Sequence, residues 1–267
     1  MLIIGERINS SRKEIFKAIE SRDEGLLRRI ARQQVEAGAD YIDVNAGAFI
    51  EGEVEHLVWL VEVVQKETDR PLCIDSPNPK AIEKAMVVHR GTPMINSISL
   101  EKERYRAMIP LVKESKGQVI GLCMGDEGIP KTEEERVKIA EKLIGRLNGD
   151  GIPFQNIFID PIIQPLAVDS TSARAVLSAI RRIRVLHPEV HIVSGLSNLS
   201  HGLPSRKLIN RAFLLMAMAV GMDAAILDPC DPVMVANLKA AQLIMGEDDF
   251  CMRYIKTHRD GKFEGLA

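Results

Sequence analysis

Short apolar runs alternate with longer amphipathic segments along the whole chain. The runs begin near Leu2 (LIIGER), Tyr41 (YIDVNA), Leu72 (LCIDS), Met94 (MINSIS), Val119 (VIGLCM), Ile157 (IFIDP), His191 (HIVSGLSN) and Ala224 (AILDP). They read as apolar throughout rather than alternating, as strands of a parallel sheet covered on both faces do. Their mean spacing is about 32 residues, close to the ~250/8 per unit of a closed eight-stranded barrel. The segments between them carry helix-end signals. The stretch 53–67 places Val54, Leu57, Val58, Val61 and Val64 on one face. Asp23 caps a helix over 26–35, and Pro79 opens one that runs to Val88. Thr132 and Glu135 form a capping-box pattern ahead of 137–147. Asp231-Pro232 opens the last long helix, which Gly246 closes. Pro110 lies inside 101–114 and predicts a helix that starts late or kinks. A doubly wound open sheet is the competing arrangement. Eight evenly spaced units favour closure, so the expected fold is α/β, a (β/α)8 TIM barrel over 1–267 as one domain. About 20 residues are left after the last helix.

Composition narrows the function classes. The 267 residues carry a formal charge of −2, with 46% hydrophobic and 27% charged positions. That balance gives no general argument for a nucleic-acid or anionic-membrane partner. The longest apolar run, Ala212 to Val220, is far short of the roughly 20 residues a spanning helix needs. It reads as helix core packed on the last strands or as a dimer face. Met1–Ile4 runs straight into Gly5-Glu6-Arg7, so no signal peptide is expected. Cys73, Cys123, Cys230 and Cys251 stand far apart, which favours neither disulfides nor a thiolate zinc site. A cytoplasmic protein with no tightly bound metal of its own is the expectation.

The polar residues that end the runs carry the chemistry. In a barrel of this type the active site forms at the C-terminal ends of the strands. The first run ends in Glu6-Arg7-Ile8-Asn9, the second in Asp43 and Asn45, the third in Asp75-Ser76. Asn96 lies within the fourth; the sixth ends in Asp160-Pro161, the seventh in Ser197-Asn198, the eighth in Asp228. An Asp after a strand is ordinarily the N-cap of the next helix, and Asp228 or Asp231 fits that role. Asp75 and Asp160 instead precede proline-containing turns. There is no HxH pair, no Ser/His/Asp arrangement and no glycine-rich phosphate loop. Carboxylates and carboxamides without a metal suit a neutral, flat heterocycle with several N–H donors and a carbonyl, such as an aminopyrimidine.

The segments LIIGERIN, YIDVNAG, CIDSPNPKAIE, MINSIS, IFIDP and GLSNLSHGLPSRKLINR resemble the methyltetrahydrofolate:corrinoid methyltransferases. These are pterin-binding barrels, related to the folate module of cobalamin-dependent methionine synthase and to dihydropteroate synthase. The likeness holds over nearly the whole chain, at every strand except the fifth. It implies a homodimeric enzyme that holds the pterin of 5-methyltetrahydrofolate at the barrel mouth. By motif position, Asp75, Asn96 and Asp160 would hold the pterin edge, and Asn198 would reach the N5 nitrogen that carries the methyl group. Gly195 and Ser197 would line the same loop, Arg206 would lie near the folate, and Asp43 would belong to the pocket floor. Family members move the methyl between N5 and the cobalt of cobalamin or another corrinoid. No DxHxxG cobalt-ligand motif occurs, so the corrinoid is expected on a separate protein that docks at the mouth.

Two departures bear on partner and direction. After the fifth run the chain reads LCMGDEGIP, where other members carry a Thr-Met-Asn type of turn. His201 stands where Gln is usual, as a rim hydrogen-bonder or a proton source. GLPSRKL resembles versions that methylate tetrahydrofolate from methylcobalamin in demethylation pathways, and that direction is favoured. The alternatives are the opposite direction, dihydropteroate synthase and a non-catalytic folate-binding protein.

Overall fold

The computed structural model describes residues 1–265, and each apolar run forms a strand. These are β1 (Leu2–Asn9), β2 (Tyr41–Asn45), β3 (Leu72–Asp75), β4 (Met94–Ser99), β5 (Gln118–Leu122), β6 (Ile157–Asp160), β7 (His191–Ile192) and β8 (Ala224–Leu227). All pair in parallel, in the order β7-β6-β5-β4-β3-β2-β1-β8. Two backbone bonds close the ring between β7 and β8. The Asp223 amide donates to Ile192 O at 3.2 Å and the Ile226 amide to Ser194 O at 3.0 Å. The result is the (β/α)8 barrel.

The helices sit outside. They are α1 (Lys13–Glu20), α2 (Glu24–Glu36), α3 (Glu53–Gln65), α4 (Pro79–Val88), α5 (Lys102–Ser115), α6 (Glu133–Gly149) and α7 (Ser172–Leu186), followed by α8 (Leu196–Leu199), α9 (Arg206–Ala219), α10 (Pro232–Ile244) and α11 (Met252–Arg259). The expected caps are in place. Asp23 accepts from the Leu26 amide, Thr132 and Glu135 close a full capping box, and Asp231 accepts from Val233 and Met234. No described helix is long and apolar enough to cross a membrane.

Three local expectations are corrected. The helix around Pro110 does not start late; α5 begins at Lys102 and continues through the proline. Pro110 is exposed, so the carbonyl it leaves unpaired one turn back faces water rather than core. The seventh strand does not reach Ser197-Asn198, because β7 ends at Ile192 and those residues lie on α8. The segment after α10 forms α11, whose first turn is fixed by Asp248 accepting from the Arg253 and Tyr254 amides at 2.9 and 2.8 Å.

Two apolar layers hold the barrel. The larger lies between the strands' outward residues and the helices, and includes Ile42, Leu57, Leu72, Ile95, Leu143, Ile159 and Leu214. Each such side chain, fully buried, contributes about 1.5–3 kcal/mol. The stripe from Phe213 to Val220 belongs here in large part: Phe213, Leu214, Ala217 and Met218 are buried. The smaller layer fills the lumen.

Candidate active site

Inward positions along a strand recur every two residues. One inward residue from each strand, or from its immediate continuation, builds the lumen floor: Ile4, Tyr41, Cys73, Met94, Ile120, Phe158, Val193 and Ala224. Two residues further along, the same faces present Glu6, Asp43, Asp75, Asn96, Leu122, Asp160, Gly195 and Ile226. All eight of these line one cavity of about 770 Å³ at the C-terminal mouth. Five polar groups therefore stand in a ring directly above an apolar floor, with Leu122 and Ile226 as apolar walls.

Burial sets the charge state of this ring. Asp75 is pushed up to about 6 by burial, against the Asn45 hydrogen bond and the Arg104 charge. Asp160 is also pushed up to about 6 by burial, against the backbone N–H groups of Ile162 and Gly195; the Ile162 bond is 2.8 Å. Asp43, 2% exposed, is raised well above the carboxylate range, first by burial and then by the Asp75 charge. Asn96 and the Cys73 thiol adjoin it, yet Asp43 Oδ1 has no hydrogen-bond partner among the described residues. An unsatisfied buried oxygen of this kind costs about 1–3 kcal/mol and is retained where a ligand meets it.

Two arginines from the outer helices fix the turns that follow the acidic strands. Arg104 of α5 donates to Ser76 O at 2.9 Å, to Ser97 O at 2.6 Å and also to Pro77 O. Arg136 of α6 is completely buried and donates to Pro161 O at 3.0 Å and Ile162 O at 3.3 Å. Ser97 stands at the register irregularity between Asn96 and Ile98 of β4 and the other carbonyls in the turns after β3 and β6, and a guanidinium's divergent N–H groups satisfy several at once.

On the opposite wall the chain turns at Gly195 into the single turn of α8. Leu196 and Leu199 are buried, and Asn198 is exposed at the cavity. Among the described residues the Asn198 side-chain amide makes no hydrogen bond, which leaves it free for a ligand. A Cβ added at Gly195 would lie 3.2 Å from Asn198 Nδ2, so glycine there keeps the amide uncrowded. Arg206, at the start of α9, donates to Ser197 O at 2.7 Å and to Ser200 Oγ at 3.1 Å. It pins α8 from above. His201 is exposed at the rim, its amide donating to Asn198 O at 3.2 Å.

The nine residues singled out in the sequence thus meet at one cavity: Asp43, Asp75, Asn96 and Asp160 on the strands, Gly195, Ser197, Asn198, His201 and Arg206 beyond β7. Glu6 is a tenth, an end-of-strand acid to which sequence reasoning gave no role. The missing signal was the two-residue period, which puts Glu6 above Ile4 as surely as Asp75 above Cys73. Arg104 and Arg136 were also missed, since on helices they resemble solvated positions. No cluster of His, Cys, Asp and Glu suited to holding a metal ion occurs among the described residues.

A closed barrel with carboxyl and carboxamide groups ringed at its mouth is suited to a flat, polar heterocycle. The model of the pterin binding enzymes matches residues 5–228, and the chain belongs to that family. It is 36% identical to the methylcorrinoid:tetrahydrofolate methyltransferase of Eubacterium limosum, over 98% of this chain and 97% of that one. This full-length likeness puts it with the methyltransferases. Methionine synthase of Mycobacterium tuberculosis is 28% identical over 85% of this chain, which spans 20% of that longer protein. Among solved structures, dihydropteroate synthase of Xanthomonas albilineans with 4-aminobenzoic acid shares the fold, with a TM-score of 0.70 at 19% identity, covering 93% of this chain and 92% of that one.

Proposed function

We propose that the protein transfers a methyl group between N5 of 5-methyltetrahydrofolate and the cobalt of a corrinoid carried on a separate protein. The observation that carries this is the ring of Asp43, Asp75, Asn96 and Asp160 facing the unbonded amide of Asn198 across one cavity. The acids and Asn96 take the pterin edge, where N–H donors and one carbonyl need mainly acceptors. Leu122 and Ile226 flank the ring's faces. Asn198 reaches N5, and Gly195, Ser197 and Arg206 shape that wall.

The chemistry fits these groups. A tertiary amine is a poor leaving group, so charge develops at N5 as the methyl is exchanged. A preorganised amide that strengthens its contact as this charge develops lowers the barrier without an ionised acid placed at N5 itself. Cobalt is the leaving group when N5 is methylated and the nucleophile in the reverse direction; this chain supplies orientation and electrostatics. The favoured direction is methylation of tetrahydrofolate from the methylcorrinoid, in keeping with the name of the Eubacterium limosum relative.

Against a dihydropteroate synthase stands the sequence after β7: GLSN occupies the place of that enzyme's lysine-bearing glycine-rich loop. Supplying p-aminobenzoate with a dihydropterin diphosphate, and separately methylcobalamin with tetrahydrofolate, distinguishes the two. Product is expected only in the second mixture. Product in the first alone overturns the proposal. Tight folate binding with no turnover in either identifies a folate-binding protein.

A further inference from the structure

Resting on that reading, methyl exchange at N5 must also move a proton. When tetrahydrofolate is methylated, the N5 lone pair forms the N–C bond and the N5 proton leaves. The electron pair of the Co–C bond stays on cobalt, which passes from Co(III) to Co(I). The reverse reaction takes one proton up at N5. Asp43, Asp75, Asn96 and Asp160 face the pterin edge, so another group must connect that nitrogen to solvent.

Glu6 and Ser197 make such a connection. The Ser197 hydroxyl donates to Glu6 Oε1 at 2.6 Å, and Ser197 directly precedes Asn198. Both residues line the mouth cavity, and both also line a second cavity of about 160 Å³ between α9 and α10. The pair is therefore the partition between the two. On the far side lie Asn210, 9% exposed and with Oδ1 unpartnered among the described residues, and Lys207, whose side chain is 71% exposed. Charged and polar side chains line this second cavity beside Leu196, Leu227 and Met234; it has room for several waters, and the exposed Lys207 stands at its edge.

We propose that Glu6, acting through the Ser197 hydroxyl, carries the N5 proton between the folate cavity and the lateral cavity. The hydroxyl accepts a proton on one side as it gives one to the carboxylate on the other, so the serine ends unchanged. Asp228 faces Glu6 with negative charge and Arg12 and Arg206 with positive, while the Glu6 charge helps to keep the buried Asp43 carboxyl protonated. Burial, with Asp228 acting in the same sense, holds the Glu6 carboxyl above its ordinary value against Ser197, Arg12 and Arg206. A carboxyl raised toward neutrality exchanges protons more effectively at working pH.

The test is Glu6→Gln, which keeps an acceptor for Ser197 but cannot ionise. Calorimetry with methyltetrahydrofolate should give a dissociation constant within about twofold of wild type, while single-turnover methyl transfer slows about 10²-fold or more and loses a limb of its pH profile. Glu6→Asp should restore part of the rate, and Ser197→Ala should reproduce the loss with the carboxyl intact. A wild-type rate and pH profile in Glu6→Gln overturns the relay, as does a rate loss matched by an equal loss of folate affinity. If Glu6→Gln does not fold, Ser197→Ala decides by the same criteria. Absence of transfer in the wild-type protein would refute the proposed function itself, whereas an active wild type with unaffected variants refutes only the relay.

Discussion

The Asn45 amide donates to Asp75 Oδ2 at 2.8 Å, across the register pair that joins β2 to β3. Asn45 is held in turn, its Oδ1 accepting from Ser10 Oγ at 3.1 Å and from the Gly47 amide at 2.9 Å. One carboxylate oxygen is thereby fixed and the other presented to the cavity. Asp75→Ala and Asp160→Ala should each weaken methyltetrahydrofolate binding by about 10–100-fold, the worth of a charge-assisted hydrogen bond. Asn45→Ala, which only releases Asp75, should cost less. Calorimetry reads all three, and unchanged affinity in either Asp variant would remove that residue from the pterin edge.

The same acids make binding pH-dependent. Asp75 and Asp160 sit at about 6 in the free protein, and the pterin N–H donors require their ionised forms. Affinity should be constant above about pH 7 and fall as the pH drops through 6. A calorimetric series from about pH 5 to 8 reads this, and a flat profile would contradict it.

Asn198 acts on rate more than on affinity. Asn198→Ala should slow methyl transfer by about 10²–10³, as loss of one preorganised donor does, while folate binding weakens far less. A variant with near wild-type single-turnover rates would place the amide outside the chemistry.

Asp43 exposes a conflict between stability and function. Its carboxyl is held neutral to higher pH in the folded protein than in the unfolded chain. The stability this proton provides is present at acid pH and lost as the pH rises through the folded-state value. Asp43→Asn removes that loss, so the variant should melt above wild type at pH 8, by about 2–4 °C for each kcal/mol relieved. Its advantage should shrink toward zero only by about pH 3, where Asp43 is neutral folded and largely neutral unfolded. Thermal melts at the two pH values test this, and an equal shift at both would point to packing instead.

The barrel was legible because eight buried strands leave eight apolar runs, and the outward residues that pack under the helices dominate each run. Asp75 and Asp160 were legible as acids that proline turns separate from any helix to cap. Glu6 was not, because a run taken as uniformly apolar hides its inward face; Ile4 and Glu6 alternate with Ile3 and Gly5 toward the lumen. Asn198 was found by motif but placed on the wrong element. A strand of two residues followed by one helical turn has no separate signature in HIVSGLSN. Arg136 gave no signal either, since a helical arginine that clamps Pro161 and Ile162 differs from a solvated one only through residues about 25 positions away.

The central claim is methyl transfer between folate and a corrinoid, and the cobalt spectrum tests it most directly. Wild-type protein mixed with cob(I)alamin and methyltetrahydrofolate should convert the cob(I)alamin spectrum to that of methylcobalamin, with tetrahydrofolate formed in equal amount; methylcobalamin with tetrahydrofolate should run the reverse. A cobalt spectrum unchanged in both mixtures, with folate bound, would contradict it.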